Sequence, residues 1–360
     1  MKHNVDKRSD DESQAFHNSH EAYTEKAFNT PGLMPDRYVF VLTNQCNLKC
    51  SFCCQRKNLR KSQMTEGDWL ALADQLPDFA RVTLVGGEPL MFKGFRKVFD
   101  SVASRFTCNV ITNGVLLTEE MIDFMLSYPN FRVLSISVDS IRNTVRNIPS
   151  DKWAHVEAMI RYFAQRRDHL SSKCVLDAKT MVLDENAADL FAIHRYCVEE
   201  LPFDHHSFQF LKGSPLQHSD TIMPFEEIFR KTHAVVYNKF EIIKEQLDMV
   251  RRYNLDNNKK AFLHPKVASL TSTSPPEGIN ILNHAEHRKD LFQPCKFPWS
   301  SVHINVDGEL FPCVAVSMGN VRQQKLRDII NGPAFNEFRE IIRREGTVEA
   351  CNRCGWLRPA

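Results

Sequence analysis

Between Tyr38 and Gly213 the chain alternates short β-rich runs with longer amphipathic stretches, six times over. Strands are predicted at 38–42, 82–85, 107–111, 133–138, 175–182 and 207–211, and helices between them at 66–76, 95–104, 119–126, 153–165 and 186–199. Regular strand–helix alternation argues for a parallel sheet covered by helices, an α/β fold. Six units rather than eight point to a partial barrel or an open sheet.

The rhythm stops after Gly213. Residues 224–253 read as helix, and 254–290, rich in Asn, Ser, Thr and Pro, as a long connection or substrate-facing insertion. A compact C-terminal stretch contains one hairpin: 302–306, the turn Asp307-Gly308, then 309–313. Asp-Gly between two strands is a strong hairpin signal. Residues 1–37 are polar and read as a tail or cap. The expected organisation is therefore 1–37, a core at 38–213, a helical insertion and linker at 214–290, and a small hairpin-and-helix module at 291–360.

A chain of 360 residues, 42% apolar, can bury a sizeable core. Its 46 basic and 44 acidic residues leave a net charge of +2, which argues for neither nucleic acid nor an anionic membrane as partner. No apolar run approaches the roughly 20 residues of a membrane span. Residues 1–11 lack the apolar core of a signal peptide, so a cytoplasmic address is expected.

Eleven cysteines are many for a reducing compartment, where clustered thiols serve as metal ligands or catalysts more often than as disulfides. Cys46, Cys50 and Cys53 form CxxxCxxC directly after the first predicted strand, on the loop where parallel α/β folds carry their active sites. Three thiolates can hold three irons of a 4Fe–4S cluster and leave the fourth open to a ligand; thiolates suit zinc as well. Cys54 is a poor fourth ligand, because adjacent cysteines point in different directions. The next strand ends carry Gly86-Gly87-Glu88-Pro89, Thr112-Asn113-Gly114, and Ser137-Val138-Asp139. Glycines allow close approach to a ligand, and Ser137 and Asp139 could bond ribose hydroxyls. Each motif alone is compatible with an ordinary turn. Together, on one face, they are not.

This set resembles the radical S-adenosylmethionine (radical SAM) superfamily. CxxxCxxC with Phe52 before the last cysteine is similar to its cluster motif, Gly86–Pro89 to its GGEP motif, and Ser137 with Asp139 to its ribose-contacting pair. The resemblance covers roughly residues 38–213. It implies a partial (β/α)6 barrel, a 4Fe–4S cluster on Cys46, Cys50 and Cys53, and S-adenosylmethionine chelated by the open iron. Reductive cleavage of S-adenosylmethionine then yields a 5′-deoxyadenosyl radical that abstracts a substrate hydrogen atom. Gly86, Gly87, Glu88, Pro89, Thr112, Asn113, Ser137 and Asp139 are the implied cofactor contacts, and a flavodoxin or ferredoxin is the implied electron donor.

Four late cysteines form a second set. Cys295, Gly308 and Cys313 give Cx12Gx4C, and Cys351 and Cys354 give CxxC. From spacing alone a structural zinc site is an alternative. With Pro298-Trp299, Asp307-Gly308, Pro312 and Gly319-Asn320, this region resembles the auxiliary-cluster module called SPASM. It is similar to the shorter twitch form, which implies one auxiliary 4Fe–4S cluster. The leading expectation for the reaction is oxidation of a small polar substrate such as a sugar or aminocyclitol, with a peptide maturase as the alternative and a non-catalytic zinc scaffold as a remote third. Arg146, Lys179, Gln209 and Lys212 lie near predicted strand ends and could face the site, with solvated or structural roles as the leading expectation. His205-His206 and His284 with His287 lack a partner carboxylate and are not expected to bind metal.

Overall fold

The computed structural model describes residues 8–53, 64–217 and 221–360; Cys54 lies outside them. The stretch read as a polar tail or cap contains a helix, α1 (Arg8–Asn29). Its buried positions His20 and Ala27, with half-buried Tyr23 between them, follow helical spacing and make a narrow face that few apolar residues announce.

Then come β1 (Arg37–Val41), α2 (Glu66–Ala73), β2 (Arg81–Val85), α3 (Phe95–Ala103), β3 (Thr107–Thr112), α4 (Glu119–Leu126), β4 (Phe131–Ser137), α5 (Ser150–His169), β5 (Val175–Val182), α6 (Leu190–Arg195) and β6 (His205–Phe210). Helix starts are specified locally. Thr65 caps α2 in a reciprocal box with Asp68, and Thr118 caps α4.

The six expected units are present, and the sheet continues at both ends. In 254–290, read as a connection, residues Ala261–His264 form β7, parallel to β6. Its four residues follow α7 (Phe240–Asn257), too short a run to stand out in polar surroundings. At the opposite edge, β8 (Ser301–Ile304) pairs parallel with β1, Tyr38 opposite Val302. Antiparallel β9 (Glu309–Phe311) and β10 (Gly319–Asn320) follow it. The order is β10-β9-β8-β1-β2-β3-β4-β5-β6-β7, so the C-terminal hairpin extends the core sheet itself. Helices α8 (Leu326–Ile330) and α9 (Pro333–Glu345) complete the module. The helix read at 224–253 begins only at Phe240; before it lie a 3-10 turn, Phe225–Phe229, and extended chain.

Strand alternation separates two faces. Tyr38, Phe40, Val82, Leu84, Val110, Leu134, Ile136, Leu176, Phe208 and Phe210 are buried on the helix side, with Phe40 against Trp69 of α2 at 4.9 Å. Residues of the opposite parity line the concave side and are unusually polar: Thr83, Asn109, Ser135, Asp177, Ser207 and His303. At the N-terminal ends of the strands, α1 joins barrel and module. His20 bonds Asp36 at 3.0 Å and sets its ring edge against Phe297 and Trp356, while Phe28 packs on Trp299.

Candidate active site

The cluster loop leaves β1 at its C-terminal end and runs against the glycines after β2. Gly87 donates to Thr43 O at 2.6 Å, and Glu88 N to Gln45 O at 2.8 Å. A Cβ on Gly87 would stand 2.3 Å from Gln45 O and one on Gly86 2.7 Å from Thr43 O, so larger residues would push away the backbone that leads into Cys46. The first role of the Gly-Gly pair in this chain is thus to let two strand-end loops touch.

Glu88 is fully buried. Its carboxylate accepts from Thr112 Oγ1 at 2.7 Å, Asn113 N at 2.8 Å and Leu90 N at 3.2 Å, tying the β2 end to the β3 end. Burial lifts its pKa above the ordinary value although these donors favour the anion. Thr112, expected to meet a cofactor, therefore braces Glu88, and Pro89 opens the short turn that Glu88 caps. Asn113 does face the loop: its Nδ2 donates to Asn47 Oδ1 at 2.8 Å and lies 3.8 Å from Cys46 Sγ.

Asp139 is also fully buried. It accepts from Met181 N at 2.6 Å and forms an ion pair with Arg146. Burial raises its pKa, opposed by the Arg146 cation. The expected ribose contact Asp139 is thus engaged within the protein, and Ser137, two residues earlier at the end of β4, is half-buried on the concave side. Arg146 does more than the sequence suggested. Its Nη1 is 3.7 Å from Cys50 Sγ and its guanidinium lies 5.3 Å from the centre of the Phe52 ring. Burial disfavours this cation, but Asp139 and the Cys50 thiol hold its pKa above the ordinary arginine value.

Cys46 and Cys53 are exposed and Cys50 is buried, with Cys53 N bonded to Cys50 O at 3.3 Å. Burial raises the Cys46 thiol. Three thiols on one short loop, with a fixed cation beside one of them, suit a thiolate-ligated cluster with an open corner.

Deeper on the concave side is a polar group that motif reading missed. Asp177 accepts from Ser135 Oγ at 3.0 Å and Ser207 Oγ at 2.9 Å, and Lys179 Nζ lies 2.8 Å from it. The signal was available: three strands carry a polar residue where the buried parity would predict an apolar one. Gln209, another strand-end candidate, donates to His264 O at 3.3 Å. His206 lies on the other face, stacked on His194 and bonded to Thr180 Oγ1 at 2.7 Å, a helix-side network. His284 is exposed and His287 buried against Thr347, so these two do not converge.

The late cysteines come together in the C-terminal module. Cys313, Cys351 and Cys354 are buried and Cys295 half-buried. Burial raises all four thiols, Cys295 to about 12, and neighbouring thiols of the set raise Cys295, Cys313 and Cys351 further. Such a set becomes four thiolates only when a cationic centre offsets their charge. Four thiols brought into one module are a donor set that an iron–sulfur cluster takes.

Comparison with known proteins agrees. Residues 40–196 match the radical SAM superfamily, and residues 295–355 match SPASM, an iron–sulfur cluster-binding domain. This pair of domains implies a 4Fe–4S cluster that binds S-adenosylmethionine together with auxiliary cluster binding. The chain is similar to the sporulation killing factor maturation protein SkfB of Bacillus subtilis, 29% identical over 41% of this chain and 39% of SkfB. It is similar to the antilisterial bacteriocin subtilosin biosynthesis protein AlbA of the same organism, 22% identical over 85% of this chain and 61% of AlbA. It thus spans less than two thirds of either relative. Among solved structures, SuiB of Streptococcus suis bound to S-adenosylmethionine shares the fold, with a TM-score of 0.61 and 14% identity over 92% of this chain and 73% of SuiB. Among the described residues no helix is long and apolar enough to cross a membrane. The chain belongs to the radical SAM superfamily, with a SPASM iron–sulfur domain at its C-terminal end.

Proposed function

We propose that this chain modifies a peptide, forming a crosslink or oxidising a side chain by radical chemistry. The observation that carries the reading is its similarity along 85% of its length to a bacteriocin biosynthesis protein, joined by a second relative whose name describes maturation of a sporulation killing factor. The sequence reading put a sugar or aminocyclitol first. No comparison supports that substrate class, so the peptide takes precedence.

When bound, the cluster and S-adenosylmethionine supply one-electron cleavage and hydrogen-atom abstraction. Cys46, Cys50 and Cys53 hold that cluster. Arg146 places a cation beside Cys50, and Asp139 keeps Arg146 there. Gly86 and Gly87 let the cluster loop lie close, Glu88 braces them against Thr112 and Asn113, and Ser137 stands at the end of β4 on the concave side, where the family resemblance puts a cofactor contact. Lys179, set by Asp177, provides a charged group on the concave wall to orient substrate. Cys295, Cys313, Cys351 and Cys354 would hold one auxiliary cluster, which would supply one-electron redox chemistry beside the substrate site. A flavodoxin or ferredoxin in the cytoplasm supplies the priming electron.

The test is to reconstitute the protein without oxygen, reduce it, and supply S-adenosylmethionine with a short peptide encoded beside its gene. The peptide should lose two hydrogen atoms while 5′-deoxyadenosine forms in equal amount. An unchanged peptide, with an aminocyclitol or sugar oxidised instead, would overturn the reading.

A further inference from the structure

The two residues between Cys351 and Cys354 are polar, yet both are buried. Each side chain is spent on neighbouring chain: Asn352 Nδ2 donates to Ala285 O at 2.9 Å and Arg353 Nη2 to Val235 O at 2.7 Å. Arg353 has a φ of 52°, in the left-handed region that residues other than glycine seldom enter unless their surroundings hold them there. The holding contacts come from the exit of β6, residues 211–217. Gly213 N donates to Asn352 O at 2.9 Å, and a Cβ on Gly213 would stand 2.5 Å from the Asn352 side chain, so a glycine permits this approach. Gln217, 2% exposed, donates its Nε2 to Ala350 O at 2.8 Å and also to Asn352 O. These are the carbonyls immediately before and after Cys351. Both are acceptors, so only the N–H end of the amide can face them. Its Oε1 is left buried and meets no donor among the described residues, a cost accepted so that both carbonyls are held. The same segment reaches a third cysteine: Gln217 bridges Val314, next to Cys313, and Ala315 N donates to Leu216 O at 2.7 Å.

We propose that Gln217 is a positioning residue for the metal site on Cys295, Cys313, Cys351 and Cys354: from the exit of β6 it holds the carbonyls on either side of Cys351 and fixes the conformation in which the Cys351–Cys354 loop takes up its cluster. The inference rests on the reading that these cysteines bind iron–sulfur. Groups that orient metal ligands without touching the metal decide how well the ligands are preset, and their loss lowers metal affinity by about 10- to 100-fold. Here the orienting group belongs to the barrel and the ligands to the C-terminal module. Strand β6 also carries Ser207, bonded to Asp177 on the concave wall, so one strand lines that wall and seats the auxiliary cysteines.

The experiment uses full-length protein carrying Cys46→Ala, Cys50→Ala and Cys53→Ala, reconstituted without oxygen so that metal binds only at the late cysteines. Iron is counted, its release to a chelator is timed, and the electron paramagnetic resonance of the dithionite-reduced protein is recorded. Gln217→Met keeps the side-chain volume and removes both donors. It should release iron about tenfold faster, the lower end of what an orienting partner is worth. Its resonance should broaden and shift as the loop takes several conformations. Gly213→Ala presses on Asn352 from the same strand exit and should act in the same direction. Circular dichroism of the metal-free variants should match that of the metal-free parent. A release rate equal to the parent's, or an unchanged resonance, in Gln217→Met overturns the proposal. So does a Gln217→Met protein that is unfolded without metal where the parent stays folded, because the glutamine would then support the fold at large. A parent that takes up zinc and no iron would refute the cluster reading. Zinc released about tenfold faster from Gln217→Met would still uphold the positioning role, and equal release would overturn it.

Discussion

Arg146 Nη1 stands 3.7 Å from Cys50 Sγ while the same guanidinium is ion-paired with Asp139, a fully buried carboxylate at the end of β4. The cluster loop and the fourth strand are therefore joined by a buried charge pair. Breaking one side of such a pair leaves the other charge uncompensated, at a cost of about 3–5 kcal/mol. Arg146→Met should lose stability on this scale in urea unfolding of the metal-free protein. Adding Asp139→Asn to it should recover most of the loss. Equal losses in the single and double variants would show that the two residues act independently.

Glu88 should behave as a brace. Glu88→Ala strands three donors and should cost about 3 kcal/mol, taking each unsatisfied buried donor at about 1 kcal/mol, the lower end of its range. Glu88→Gln keeps an acceptor and should fold. Burial raises the Glu88 pKa, so its stabilising contribution is complete below the ordinary carboxyl value of 4.5 and is lost as pH rises through the raised value. The stability difference between Glu88→Gln and wild type should therefore shift in favour of glutamine as pH rises above the ordinary carboxyl value of 4.5. A difference independent of pH would mean that the carboxyl group keeps its ordinary pKa in the fold.

Replacing Cys46, Cys50 and Cys53 together by Ala should abolish formation of 5′-deoxyadenosine by the reconstituted, reduced protein. Chromatography of the quenched reaction measures it. Undiminished product would remove these residues from the cleavage step.

The late cysteines allow an independent count. Wild type should bind about eight irons per chain, and Cys351→Ala/Cys354→Ala about four, since each 4Fe–4S cluster carries four. The double variant should still release 5′-deoxyadenosine but form little oxidised product. Retention of full product formation would exclude the auxiliary cluster as electron acceptor.

The sequence alone was enough to place the six strand–helix units, the CxxxCxxC loop after β1 and the Asp307-Gly308 hairpin. Each is written in local spacing: a period of two or 3.6, a cap, a turn dipeptide. It also brought Gly87, Glu88, Asn113 and Asp139 to one end of the sheet, because parallel strands must point the same way. Which of these groups bond one another was decided by the tertiary structure. Glu88 and Asp139 turned into the protein because Asn113 N and Arg146 were there to meet them. The addition of β7 and β8 to the sheet and the seating of α1 on Phe297 and Trp356 are likewise absent from any local window of sequence. Tyr38 and Val302 are neighbours in the sheet but far apart in the chain. Such a pairing depends on strand register and on the surface both partners bury together, which no local window of sequence contains.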